Sequence, residues 1–249
     1  MQKNNKDINV YWAPVYNINN GNSWNMLYPE PKTLMSELMT QKSETMGNAH
    51  FFSCPASSNY FKNTYVFRNV IESKHEYDFT DLNHPSIINH GNSVIELDFL
   101  RLPTLNDTAM LHVVNYSYIF FAEESVNMTF APPFFSEPKY TKYGTPCPAT
   151  YDVSQWFRPY IFEMLMWKAK GELIIEKDEP LFYITADTDQ HINLKRFEMN
   201  DKLFNYMTHC VAAPNWQGRG LPLIKRYQAF KQSRMNELVL SEIKNNLVG

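Results

Sequence analysis

The 249-residue chain is predicted to form a mainly β domain, a sandwich, jelly roll or β-clip-like fold, with one short helix near the N-terminus and two at the C-terminus. Three observations predict this. Aromatic residues make up 15% of the chain, and flat rings pack well on a pleated surface. Strand-like segments follow one another from 64 to 195, separated by Asn-, Gly- and Pro-rich connections, with helical periodicity confined to the two ends. Within that core, residues 152–186 (DVSQWFRPYIFEMLMWKAKGELIIEKDEPLFYITA) read as two or three long aromatic-rich strands closed by a short turn. At this length a single domain over 1–249 is expected.

Residues 1–31 hold one short strand candidate, 8–12, followed by the Asn/Gly/Pro-rich NINNGNSWNMLYPEP, and are read as an irregular arm. Thr33 is a helix cap for a short amphipathic helix carrying Leu34, Met35, Leu38 and Met39 to about Met46. Strands then follow at TYVFRNVI and KHEYDF. In VIELDFLRL, Ile95, Leu97 and Phe99 alternate with Glu96 and Asp98, the pattern of a half-buried strand. The apolar run 110–123 reads as a central strand, and VNMTFAP continues the sheet until Pro132-Pro133. A turn-rich insert containing Gly144 leads to a strand over 158–168, a turn at Lys170-Gly171, and strands over 172–176 and 181–186. Over 200–247 helices return. Asn200 caps one with Leu203, Phe204, Met207, Cys210 and Val211 on a stripe. Pro222 starts a longer one with Ile224, Tyr227, Phe230, Met235, Leu238, Val239 and Ile243 facing in.

Composition excludes several functional classes. The formal net charge is −3, from 23 basic and 26 acidic residues, whereas an electrostatic nucleic-acid binder needs a basic excess or patch. The basic stretch Lys225, Arg226, Lys231 and Arg234 is followed by acidic residues on the same segment. No segment approaches the ~18 consecutive apolar residues of a membrane helix, and MQKNNKDINV carries no signal-like apolar run. Cys54, Cys147 and Cys210 are odd in number and widely spaced, arguing against a disulfide scaffold or a zinc site. A cytoplasmic (host cell) or virion-associated protein with reduced thiols is expected, in which the sequons at Asn106, Asn115 and Asn127 are unused. Eight glycines in all and no nucleophile elbow, Walker loop or dinucleotide fingerprint leave no complete reaction motif.

Two constellations remain. The polar group Asp152, Trp156 and Arg158, with Glu163 beyond and Glu123 at the end of a neighbouring strand, offers a stacking surface, a fixed charge and acceptors for a ligand. The structural alternative is an Asp–Arg pair at a strand entrance with Trp156 as a corner plug. For a metal, the nearest set is His75, Glu76 and Asp78, with His191 as a loop partner. Alternation works against it, because His75 shares a strand face with Tyr77 while Glu76 and Asp78 point the other way. His112 reads as a core histidine of the central strand, and Cys210 belongs to an apolar helix stripe rather than to a thiol–imidazole pair with His209.

The run DVSQWFRPYIFEMLMW, followed by GELIIEKDEPLFYI, resembles a family of bacterial and tailed-phage proteins without an established activity. The likeness covers about 35 residues clearly and region 90–130 loosely, and implies a phage or bacterial lineage. The layout Asp-x-x-x-Trp-Phe-Arg, two strands and Ile-Glu-Lys-Asp-Glu-Pro-Leu is similar to trimeric dUTPase-like β-clip proteins. That similarity implies a sugar-binding role for Asp152. Pro159 stands where that family has glycine, and Asp178-Glu179-Pro180 replaces its Gly-Asp-Arg turn. The reading is a non-catalytic structural or interaction protein that associates with itself or another protein through aromatic-rich strand faces. The alternative is a jelly-roll or β-clip enzyme or small-ligand binder, metal-dependent (oxygenase-like) or nucleotide-binding. No cofactor is specified by the sequence.

Overall fold

The structure, a computed structural model, describes residues 7–15, 28–40, 54–90, 97–102, 108–211 and 222–248. Among these residues it is mainly β, with five α-helices. The N-terminal half holds β1 (Ile8–Val15), β2 (Lys32–Thr33), α1 (Leu34–Thr40), α2 (Pro55–Lys62), β3 (Thr64–Arg68), β4 (Ser73–Asp78), β5 (Ser86–His90), β6 (Leu97–Leu102) and β7 (Thr108–Ala122). Next come β8 (Asn127–Ala131), a 3-10 turn (Lys139–Lys142), β9 (Gly144–Pro146), β10 (Ala149–Asp152), β11 (Pro159–Met166), β12 (Lys170–Ile175), β13 (Pro180–Ala186) and β14 (Ile192–Arg196). The last elements are α3 (Asp201–Val211), α4 (Leu223–Gln232) and α5 (Met235–Asn245).

Three sheets share one core. The largest has the order β14-β1-β7-β11-β9, with β6 also pairing β7. The second runs β10-β8-β13-β3-β2, and a three-stranded sheet runs β12-β4-β5. Of the strand pairings among the described residues, only β1 with β14 is parallel. Between the two large sheets lie Val10, Trp12, Tyr118 and Phe120 from one and Phe67, Phe130, Phe182 and Ile184 from the other. Tyr77, Leu173 and Ile175 of the small sheet close the side. Phe67 stacks on Phe182 at 5.3 Å and meets the edge of Trp12 at 5.9 Å. Such ring pairs add to the free energy of burial.

The outer faces of both large sheets carry helices. Tyr11, Ile119 and Phe121 pack against Leu203, Met207 and Cys210 of α3, Phe230 of α4, and Val239 and Ile243 of α5. Val66 and Tyr183 pack against Leu34 of α1 and Phe61 of α2. Both expected caps are present. The Ser36 amide donates to Thr33 Oγ1 at 3.1 Å, and the Leu203 amide to Asn200 Oδ1 at 2.8 Å.

Several expectations need correction. The strand expected over 8–12 runs to Val15 and is an interior strand with Trp12 fully buried, so this part of 1–31 is no irregular arm. Most of the rest of that segment lies outside the described residues. Helix α2, which no element of the sequence reading anticipates, starts with a proline in its first turn. Lys170-Gly171 is not a turn but the start of β12. Moreover, β12 pairs with β4 rather than folding back on β11. Glycine is needed there because a Cβ on Gly171 would stand 2.5 Å from the Tyr143 ring, and at Gly144 one would stand 2.5 Å from the Leu165 carbonyl oxygen. The long C-terminal helix is two helices, broken where Ser233 turns extended. Among the described residues three helices therefore follow the sheets instead of two, and Ile224 and Leu238, expected to face in, are exposed.

Trp12→Ala removes the largest fully buried side chain from between the sheets and is expected to cost about 3–5 kcal/mol, read as a lowered midpoint in urea unfolding.

Candidate functional site

The sequence-predicted ledge comes together only in part. Asp152, Trp156 and Arg158 line one cavity with Phe120, Phe130 and Tyr160. Its volume is about 30 Å³, room for a water molecule and far below the several hundred Å³ of a ligand pocket. The Arg158 guanidinium lies 5.5 Å from the centre of the Trp156 ring. The other face of the loop is closed by Tyr227 of α4 packing on Trp156.

Asp152 serves the loop itself. Its Oδ1 accepts the Ser154 amide at 3.0 Å and the Ser154 hydroxyl at 2.7 Å, and its Oδ2 accepts Ser125 Oγ at 2.7 Å and the Gln155 amide. These bonds make an Asx-type turn that carries the chain from β10 into β11. Burial pushes the Asp152 carboxyl up, but the hydrogen bonds from Ser154, Ser125 and Gln155 outweigh it and hold the group below its ordinary value. Both carboxylate oxygens are thus taken by the chain, including those the β-clip similarity assigns to a sugar.

Glu123 and Glu163 do not line this cavity. Glu123 is exposed and meets Lys244 Nζ of α5 at 3.1 Å. Glu163 lies on the half-exposed face of β11, opposite His112 of β7 in register. The His112 side chain lies outside the described residues.

The metal set is dispersed. His75 is fully buried on the inner face of β4, while Glu76 points out and pairs with His90 Nε2 at 2.9 Å. Asp78 holds Lys170 Nζ at 2.9 Å and the Thr80 hydroxyl at 2.6 Å. His191 stands apart, beside β14. Among the described residues no three His, Cys, Asp or Glu side chains are grouped to hold a metal ion.

A larger site lies elsewhere. A groove of about 990 Å³ opens at the end of the second sheet. Thr129 of β8 and Thr185 of β13 form its floor. One wall is α2, with Asn59, Tyr60 and Lys62, and the other is the β13–β14 connection, 187–191. Asn63, at the C-terminal end of α2, ties the walls together. Its Nδ2 donates to the Thr188 and Gln190 carbonyls at 3.0 and 2.8 Å, and its own carbonyl accepts the Ala186 amide at 3.0 Å. The Thr64 and Thr185 hydroxyls meet at 2.9 Å beneath. These bonds fix the backbone of the connection.

Several of the groove side chains are left unused by the fold. Asn59, Lys62, Asp187, Asp189, Gln190 and His191 line it and, among the described residues, bond to no other side chain. At its rim the Tyr60 ring is 43% exposed. It packs against Phe61 at 5.9 Å and Phe134 at 6.1 Å. Phe134 and Phe135, also exposed, continue this aromatic shoulder onto the outer face of β13, where Phe134 meets Tyr183 edge-on at 5.0 Å. Of these residues the sequence reading singles out only His191, and then as a metal ligand. The available signal was the run DTDQH, dense in carboxylate, amide and imidazole, directly after the wholly buried strand PLFYITA.

The chain matches no protein-family profile, no curated protein and no solved structure.

Asp152→Asn is expected to cost about 1 kcal/mol at neutral pH, since it weakens bonds that a half-buried carboxylate accepts. A carboxyl held low in the fold stabilises it above the unfolded value near ~4 and loses that effect as pH falls through the folded value. The gap in Tm between variant and parent should therefore narrow as pH falls below the unfolded value and through the lower folded one, as thermal unfolding over a pH series will show. The thiols should differ as well. Cys54 is exposed and held low by the Ser57 and Ala56 amides, Cys147 is raised by burial and by Glu163, and burial pushes Cys210 up to about 12. Iodoacetamide should modify them in that order in the native protein, followed by mass spectrometry.

Proposed function

We propose that the protein is a non-catalytic interaction protein whose partner or ligand occupies the groove between α2 and the β13–β14 connection. The observation that carries this reading is the pairing of a fixed backbone with unspent side chains. Asn63 and the Thr64–Thr185 contact hold the walls, while Asp187, Asp189, Gln190, Asn59 and Lys62 present donors and acceptors that the fold does not use. Side chains held on rigid elements lose little freedom on binding, which favours recognition. The volume lies at the upper end of small-ligand sites.

The aromatic strand faces expected to drive self-association are consumed internally. Phe162 and Phe182 are buried in the shared core, and Tyr183 lies under α1 and α2. Among the described residues the exposed aromatic rings are Trp167, just past β11, and the shoulder of Tyr60, Phe134 and Phe135 next to the groove, where a partner gains both apolar area and polar contacts. No helix among the described residues is long and apolar enough to cross a membrane.

A protein-observed NMR screen with small soluble fragments of neutral, acidic, basic and aromatic type tests this reading. Shifts should cluster on residues 56–63 and 185–191, and the bound fragments should be recovered chemically unchanged. Fragments that gather at the Asp152 cavity instead, or that are turned over, would refute it.

A further inference from the structure

We propose that the groove binds a neutral oligosaccharide, with one sugar ring stacked on Tyr60 and its hydroxyls held by Asp187, Asp189, Gln190 and Asn59. This deepens the reading of the groove as a binding site and rests on it.

The chemistry on the walls selects the ligand class. Carboxylates only accept hydrogen bonds, side-chain amides both donate and accept, and Lys62 only donates. A sugar hydroxyl does both, and neighbouring hydroxyls present donors and acceptors in pairs. A polyhydroxylated ligand can therefore satisfy Asp187, Asp189, Gln190 and Asn59 together without leaving its own polar groups unmatched.

The aromatic rim supplies the second half of the match. A pyranose has one face of C–H groups, apolar enough to lie on a ring. Tyr60 offers such a surface, and Phe61 and Phe134 hold it in place. Pinning the ring beforehand removes part of the entropic cost of stacking.

Other classes fit less well. Two carboxylates against a single lysine disfavour phosphate-bearing or acidic ligands. A nucleic acid needs a basic track along its backbone, and neither the groove nor the chain, at net charge −3, provides one. An apolar ligand would desolvate the polar walls without replacing their hydrogen bonds. The groove is also open, with Asn59, Asp187, Asp189 and His191 all exposed, which suits a chain passing through rather than an enclosed monosaccharide.

The test uses the intact protein on an array of neutral and acidic oligosaccharides, with hits titrated calorimetrically against the parent, Tyr60→Ala and Asp189→Asn. Asp189→Asn should keep the parental Tm, and Tyr60→Ala, which gives up the ring contacts to Phe61 and Phe134, should lower it while leaving the protein folded at the titration temperature. A neutral oligosaccharide is expected to bind, and each variant to lose about tenfold or more in affinity, the scale of one stacking contact or one hydrogen bond to a charged group. Affinity unchanged in both variants, or a preference for acidic glycans, overturns the proposal. So does the absence of any glycan hit. If the fragments of the NMR screen nevertheless settle in the groove, its binding role stands and only the oligosaccharide falls. If they avoid the groove, both readings fall.

Discussion

Phe67 touches Trp12, Tyr118, Phe120 and Phe182, with ring centres 4.9–5.9 Å away, and through these contacts the two large sheets become one body. Trp12, Tyr118 and Phe120 belong to β1 and β7 of one sheet, while Phe67 and Phe182 belong to β3 and β13 of the other. Each ring is buried, so the sheets cannot slide without opening gaps among rigid plates. The remaining layers depend on this slab. With their inner faces occupied, the sheets can bury their outer apolar residues only under helices, α3 to α5 on one side and α1 with α2 on the other.

The groove sits where this architecture ends. Strand β13 is wholly buried along its length, and the chain must then reverse to reach β14, at the far edge of the other sheet. The crossing passes Asn63, a buried amide whose bonds to Thr188, Gln190 and Ile192 replace those a regular strand would make. Because the backbone of the crossing is bonded inward, its side chains turn outward. The outward polar side chains at this position are therefore a by-product of how two packed sheets are connected.

The mainly β class was legible because it rests on local pattern. The strand expected over 158–168 is present over 159–166 and alternates, with Phe162 and Met164 inside and Glu163 half-exposed, and the caps at Thr33 and Asn200 are local chemistry too. Pairing was not legible. Nothing local in Lys170-Gly171 says that β12 leaves β11 for β4, where the Tyr77 and Tyr143 side chains, distant in sequence, lie against Gly171. Of the site, Asp152, Trp156 and Arg158 were brought together as read, but their spacing cannot reveal that Ser125, distant in sequence, fills the carboxylate. The groove was invisible for the opposite reason. Its walls come from segments about 125 residues apart, and α2 is written in Ser, Asn and aromatic residues that carry weak helical signal.

The parallel partnership of β1 and β14 bears on how the molecule is made. Asn9 and Asn193 face each other across that pair although 184 positions separate them. A ribosome adding 5–20 residues per second delivers β14 about 10–40 s after β1. During that interval Val10 and Trp12 have no neighbour on one flank, and β7, on the other, itself emerges only after about a hundred further residues. The nascent N-terminal strand is thus a waiting element, bare-edged and aromatic, and cellular synthesis must keep it from finding the strands of other chains before its own arrive.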